Sequence, residues 1–278
     1  MQAGVQTEMI DRICEQLEQN RAELAHEFAR DRDPVQCRFC VLDNVLPESQ
    51  ARQINRAFPP VSQMRLMSTF RERKYTSRKI DKMDALIGKA LFAFQAPRVV
   101  EIVKQITGME GLIADPSLYA GGISAMTRGQ FLSPHLDNSH NSDRTCYRRL
   151  NVLYYATPNW SAECGGNLEL WDTSVRRPIE IPSLFNRLVI METNRRSWHS
   201  VNQVRNDGVR CCVSNYYFSR ESPEDYEYFH VTSFSARPEH KFSRLLASAD
   251  NLIRSCVRLL KRDGLGPVDV YEQNKKAA

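Results

Sequence analysis

The sequence predicts an α+β fold: a double-stranded β-helix, or jelly roll, flanked by N-terminal and C-terminal helices. Three observations predict it. Apolar residues recur at helical spacing up to Thr107. From Ser117 onward, short apolar runs alternate with turn residues. Near the C-terminus a single amphipathic stripe returns. With 278 residues, 42% of them apolar and 26% charged, the chain can bury a core and has the balance of a folded domain rather than a disordered one.

The elements follow in order. Met9, Ile10, Ile13, Cys14, Leu17, Leu24 and Phe28 form one helical stripe, ended by Asp31-Arg32-Asp33-Pro34. Residues 38–43 read as a strand. Leu46-Pro47-Glu48 opens a second helix with proline in its first turn, and Phe58-Pro59-Pro60 ends it. Residues 61–82 read as basic and irregular. A third helix covers about 83–107; Pro97 interrupts or kinks it and Gly108 ends it. Eight strands follow with no helix among them, at 123–126, 131–136, 151–155, 167–171, 179–181, 187–192, 197–201 and 210–218, the count of a double-sheet jelly roll. A last apolar stripe from Phe242 to Leu260 predicts an amphipathic, basic helix docked on the sheet, with a membrane surface as its less favoured partner. The expected organisation is one catalytic unit: a helical and lead-in strand region over 1–116, the jelly roll over 117–220 and a C-terminal extension over 221–278.

Composition narrows the function classes. The longest apolar runs, 90–94 and 152–156, fall far short of the ~20 residues a membrane helix needs. The N-terminus lacks the basic-then-apolar pattern of a secretory signal. Eight cysteines include one CxxC, Cys37 and Cys40, with no second spaced pair to complete a zinc site. These features predict reduced thiols and a cytoplasmic protein. The net charge of +5 is uneven, and residues 65–82 carry seven bases against two acids. Such a cluster attracts anions, though most of it reads as a solvated face.

The stretch Ser133-Pro134-His135-Leu136-Asp137 carries the chemistry. On a strand, i and i+2 share a face, so His135 and Asp137 present an imidazole nitrogen and a carboxylate oxygen side by side. His199, near the far end of the strand-rich region, supplies a third ligand. Two histidines and one carboxylate form the facial triad of non-haem iron(II) oxygenases. Arg210 opens the last strand and shares a face with Cys212, Ser214 and Tyr216, where a guanidinium can meet a carboxylate with two hydrogen bonds.

In these residues the sequence resembles the prolyl-4-hydroxylase-like branch of the iron(II)/2-oxoglutarate dioxygenases. The resemblance runs from Arg38 to Phe218. It rests on the ordered set Gly129 to Asp137, Asn151 to Tyr155, Gly165-Gly166 to Asp172, Asn186 to Ile190, Trp198-His199 and Arg210. It implies Fe(II) on His135, Asp137 and His199, 2-oxoglutarate on Arg210, dioxygen as co-substrate, and ascorbate as a candidate reductant. Many relatives carry a lysine at the Arg210 position and others a serine or threonine where Cys212 stands, so Tyr154 and Asn151 become candidates for a further bond to the co-substrate. The presence of Asp137 implies hydroxylation rather than halogenation.

Arg71, Arg73, Lys74, Tyr75 and His140 are candidate substrate contacts, and 64–81 and 138–149 are candidate lids. The favoured substrate is a small polar molecule, an amino acid or a metabolite derived from one. Peptidyl proline, a glycan or lipid-linked sugar, and a non-catalytic metal-binding sensor stand as alternatives. No nucleic acid is expected, because Tyr216 occupies the place of the second arginine that repair enzymes carry.

Overall fold

The computed structural model describes residues 2–77, 79–119 and 121–239. The helix expected over 242–260 lies outside the described residues. Five helices are described: α1 (Gln2–Gln19), α2 (Arg21–Ala29), α3 (Glu48–Ala57), α4 (Ala85–Ala93) and α5 (Pro97–Thr107). The strands before the jelly roll are β1 (Phe39–Leu42), β2 (Arg65–Ser68), β3 (Glu72–Ser77) and β4 (Ile113–Ala114). The eight expected strands follow as β5 (Gly122–Met126), β6 (Phe131–Leu136), β7 (Tyr147–Tyr155), β8 (Leu168–Trp171), β9 (Pro178–Ile181), β10 (Arg187–Glu192), β11 (His199–Val201) and β12 (Arg210–Ser219). A short β13 (Ser233–Phe234) comes after them.

One antiparallel sheet curls on itself in the order β1-β10-β7-β12-β5-β3-β6-β11-β8-β9, with β2 on β3, β4 on β12 and β13 on β6. Its two halves face each other as a jelly roll. The outer face of β7 and β12 packs on the helices: Leu150, Val152, Tyr154, Val213 and Tyr217 join Ile87, Leu91, Phe94, Val103 and Ile106 in the main core cluster. Between the two halves, a second cluster fills one end of the roll with Phe39, Leu153, Tyr155, Leu168, Leu170, Val189 and Met191. The other end is left as a cavity.

Several expectations change. The first helical stripe is two helices, because Asn20 leaves helical geometry (φ −104, ψ 6) and its side-chain amide donates to the Gln16 carbonyl. The 83–107 segment is also two helices. Ala96 is extended ahead of Pro97, which takes the first position of α5, and Gly108 caps that helix in the left-handed region at φ 66. Residues 61–82 are not irregular, since β2 and β3 form a hairpin that continues the sheet through β5 and β6. Apart from Met67, its cavity-lining residues are polar, so the alternation that marks a strand over a dry core is missing.

Cys37 and Cys40 are buried in different packing clusters, and burial pushes the Cys40 thiol up to about 12. They are structural. Among the described residues, no helix is long and apolar enough to cross a membrane.

Candidate active site

β6 and β11 are neighbours with His135 opposite His199, so the ladder itself sets the two imidazoles side by side, ring centroids 4.1 Å apart. Asp137 follows the last residue of β6. Its Oδ1 is 3.7 Å from His135 Nε2, and its Oδ2 is 3.7 Å from His199 Nε2. One ligand atom from each of the three residues lies within 4.8 Å of the others, and among the described residues no other group of three metal-binding side chains does so.

The imidazoles are aimed from behind. His135 Nδ1 lies 3.0 Å from the Ser133 carbonyl, and His199 Nδ1 lies 2.9 Å from the Ser197 carbonyl. A carbonyl can only accept, so each Nδ1 carries a proton, and Nε2 is the ring nitrogen turned toward the carboxylate. Burial, then repulsion from His199, pushes the His135 imidazole down to about 3, so it is neutral near pH 7. Burial pushes the Asp137 carboxyl upward. Arg148 and the two histidines outweigh it and hold the group below the usual carboxylate range.

Arg148 is a residue that sequence reasoning missed. Strict alternation along β7 puts it on the outer face with Leu150 and Val152. A bulge opposite Tyr217 and Phe218 skips Arg149 and turns Arg148 inward. There its Nη1 sits 3.2 Å from Asp137 Oδ2, with the guanidinium over the Tyr216 ring.

The triad opens on a cavity of about 880 Å³. Arg210 lies on its wall, 3% exposed, with its guanidinium over the Tyr155 ring at 4.7 Å. Its Nη1 reaches only the Met126 sulfur, at 3.9 Å, its Nε has no hydrogen-bond partner, and no carboxylate pairs with it among the described residues. Gly166 makes room for it, and Gly165 lets the chain pass the Gln203 backbone. Both have positive φ; a Cβ on Gly165 would lie 2.1 Å from the Gln203 carbonyl oxygen, and one on Gly166 would lie 3.0 Å from Arg210 Cδ. Arg205, by contrast, is exposed beside its turn.

Residues 121–218 match the family model of the 2OG-Fe(II) oxygenase superfamily. The chain carries a 2OG-Fe(II) oxygenase domain. The fold of this oxygenase is also that of solved prolyl hydroxylases. One from Trichoplax adhaerens, in complex with a hypoxia inducible factor oxygen degradation domain peptide fragment, is 20% identical with a TM-score of 0.51, covering 73% of this chain and 92% of that one. A prolyl-4-hydroxylase from Pseudomonas putida is 15% identical with a TM-score of 0.50, covering 74% of this chain and 100% of that one. A prolyl 4-hydroxylase from Phytophthora capsici is also 15% identical at a TM-score of 0.50, covering 92% and 80%. No protein of curated function matches the chain by sequence.

The oxygenase depends on Fe(II) and 2-oxoglutarate, and the residues present fit both. Two imidazoles and a carboxylate suit ferrous iron. A buried guanidinium with no anionic partner suits a dicarboxylate. Asn151 Oδ1 and Tyr155 Oη are further buried polar atoms on the cavity wall without a partner.

Several expected contacts lie elsewhere. Tyr154 faces the helices and donates to Asn186 Oδ1, because neighbours on a strand point to opposite faces. Tyr155 takes the inner place. Of the expected contacts Arg71, Arg73, Lys74 and Tyr75, only Lys74 lines the cavity, paired with Glu72 at 3.0 Å; Arg65 on β2 lines it as well. Arg73 is exposed and Tyr75 packs against the helical core, on the opposite face of β3. Arg71 is not on the cavity wall and stacks on Phe234, which is. His140 is buried outside the cavity, against Tyr147 and bonded to Ser139.

The segment after β12, read only as an extension, crosses the mouth. Phe234 pairs with His135 in the ladder and stacks on its ring, while Arg237 is tied to the buried Glu169. No helical or alternating pattern marks this segment in the sequence.

Proposed function

We propose that His135, Asp137 and His199 are the iron ligands, that Arg210 binds the distal carboxylate of 2-oxoglutarate, and that the substrate is a small polar molecule, an amino acid or a metabolite derived from one. The observation that carries the ligand assignment is the convergence of two Nε2 atoms on one carboxylate, each ring held by a backbone carbonyl on its Nδ1. The Arg210 assignment rests on a buried cation without an anion in the same cavity. A space of about 880 Å³ that admits both co-substrate and substrate suits a small molecule, and the Glu72–Lys74 pair on its wall offers both signs of charge to a zwitterion.

The reaction is R–H + O2 + 2-oxoglutarate → R–OH + succinate + CO2. Ferrous iron, when bound, supplies the dioxygen chemistry that couples the decarboxylation to hydroxylation. The chain holds the partners in place. Arg210 anchors one end of 2-oxoglutarate and so aims its keto acid end at the triad. Tyr155 and Asn151 offer polar atoms beside it. Phe234 roofs His135 and limits access of water from that side.

The test is succinate release from 2-oxoglutarate, with and without a panel of amino acids, peptides and glycans, read together with mass spectrometry for a gain of one oxygen. Coupled release with a free amino acid is the expected result. Coupled turnover confined to a peptide or a glycan overturns the substrate class and leaves the reaction standing.

A further inference from the structure

We infer that Arg148 is the positioning residue of the metal site: its guanidinium fork holds the direction of the Asp137 side chain. The inference rests on the iron-ligand reading above. The Arg148 side chain is only 1% exposed. One guanidinium nitrogen, Nη1, is 3.2 Å from Asp137 Oδ2, and the other, Nη2, donates to Asn138 Oδ1 at 2.9 Å. The fork therefore grips two consecutive residues at the end of β6, where the ladder no longer sets the direction of a side chain.

The plane of the fork is fixed in turn. It lies over the Tyr216 ring at 4.1 Å, with Phe218 at 5.7 Å on the same strand. Arg148 does not line the cavity, so it does not act by touching substrate. Partners that orient a ligand from behind typically change metal affinity by about 10–100-fold when removed.

The experiment is an anaerobic Co(II) titration followed by visible absorption, with no turnover, on the full chain and on Arg148→Met and Arg148→Lys. Thermal melts establish that each variant is folded. Arg148→Met should raise the Co(II) dissociation constant by about tenfold or more. Arg148→Lys, which keeps the charge and loses the fork, should fall between Arg148→Met and the parent. Parent-like affinity in Arg148→Met overturns the proposal. So does an equal loss in both variants, which assigns the effect to packing rather than to the hold on Asp137. If Arg148→Met does not fold, Arg148→Lys decides alone: a loss of about threefold or more supports the role, and parent-like binding overturns it. Failure of the parent itself to bind Co(II) is a different outcome and removes the iron-ligand reading.

Discussion

Tyr154 and Tyr155 are adjacent on β7, 1% and 0% exposed, and they do opposite things. Tyr154 faces the helices, where its hydroxyl donates to Asn186 and every neighbour is settled. Tyr217 donates to the Phe94 carbonyl, and Asn215 bonds to Leu91 and Gln95. Tyr155 faces the interior of the roll, where its hydroxyl, Asn151 Oδ1 and Arg210 Nε have no protein partner. Both faces are equally buried. What separates the structural face from the binding face at these residues is satisfaction of polar groups: Tyr155, Asn151 and Arg210 keep unpartnered atoms on the cavity wall, where a bound molecule can meet them.

That contrast can be broken most severely at the triad. His135→Ala or His199→Ala should abolish iron binding and turnover while the protein still folds, because neither side chain belongs to an apolar core cluster. Metal content and succinate release measure this, with a thermal melt as the check on folding. Normal turnover with iron supplied removes the triad.

Next in size is Arg210. Arg210→Ala should raise the 2-oxoglutarate requirement by about two orders of magnitude, or roughly 3 kcal/mol. Arg205→Ala, at an exposed position, should change it little. Anaerobic titration of the two variants side by side decides the matter, and the reverse pattern places the co-substrate carboxylate near the Asn206-Asp207-Gly208 turn.

The two tyrosines sharpen the contrast. Tyr154→Phe loses a buried hydrogen bond and should lower unfolding stability by about 1 kcal/mol with 2-oxoglutarate affinity unchanged. Tyr155→Phe removes a hydroxyl that has no protein partner, so stability should hold while 2-oxoglutarate affinity shifts. Denaturant melts and co-substrate titration, run on both, separate the two faces. Equal stability losses would end the distinction.

The smallest expected effect concerns His140 and His230, which pack on Tyr147 and Tyr228 outside the cavity wall and belong to neither face. Burial lowers the pKa of His140 and of His230. Each is therefore neutral in the fold and takes a proton more readily when unfolded. Their contribution is fully present above the unfolded histidine pKa of about 6.5 and is lost as pH falls through it. Melting temperature should drop below that pH by less in His140→Gln or His230→Gln than in the parent. An unchanged acid limb in both variants would assign the drop to other groups.

The sequence by itself determined the jelly roll and the triad, for a physical reason. Strand periodicity and turn residues are local, and His135-x-Asp137 lies within one strand and its end, so its shared face follows from the pleat. The inward direction of Arg210 was legible in the same way, because β12 keeps its alternation from Arg210 to Tyr216. Tertiary structure decided the rest. The hairpin of β2 and β3 was hidden because a strand that walls a wet cavity has no apolar alternation. The Tyr154 and Tyr155 roles needed to be known against a fixed inner face, since a shift of one residue exchanges them. Arg148 was beyond reach of any pattern: a bulge is a mismatch between two strands, and neither strand records it alone.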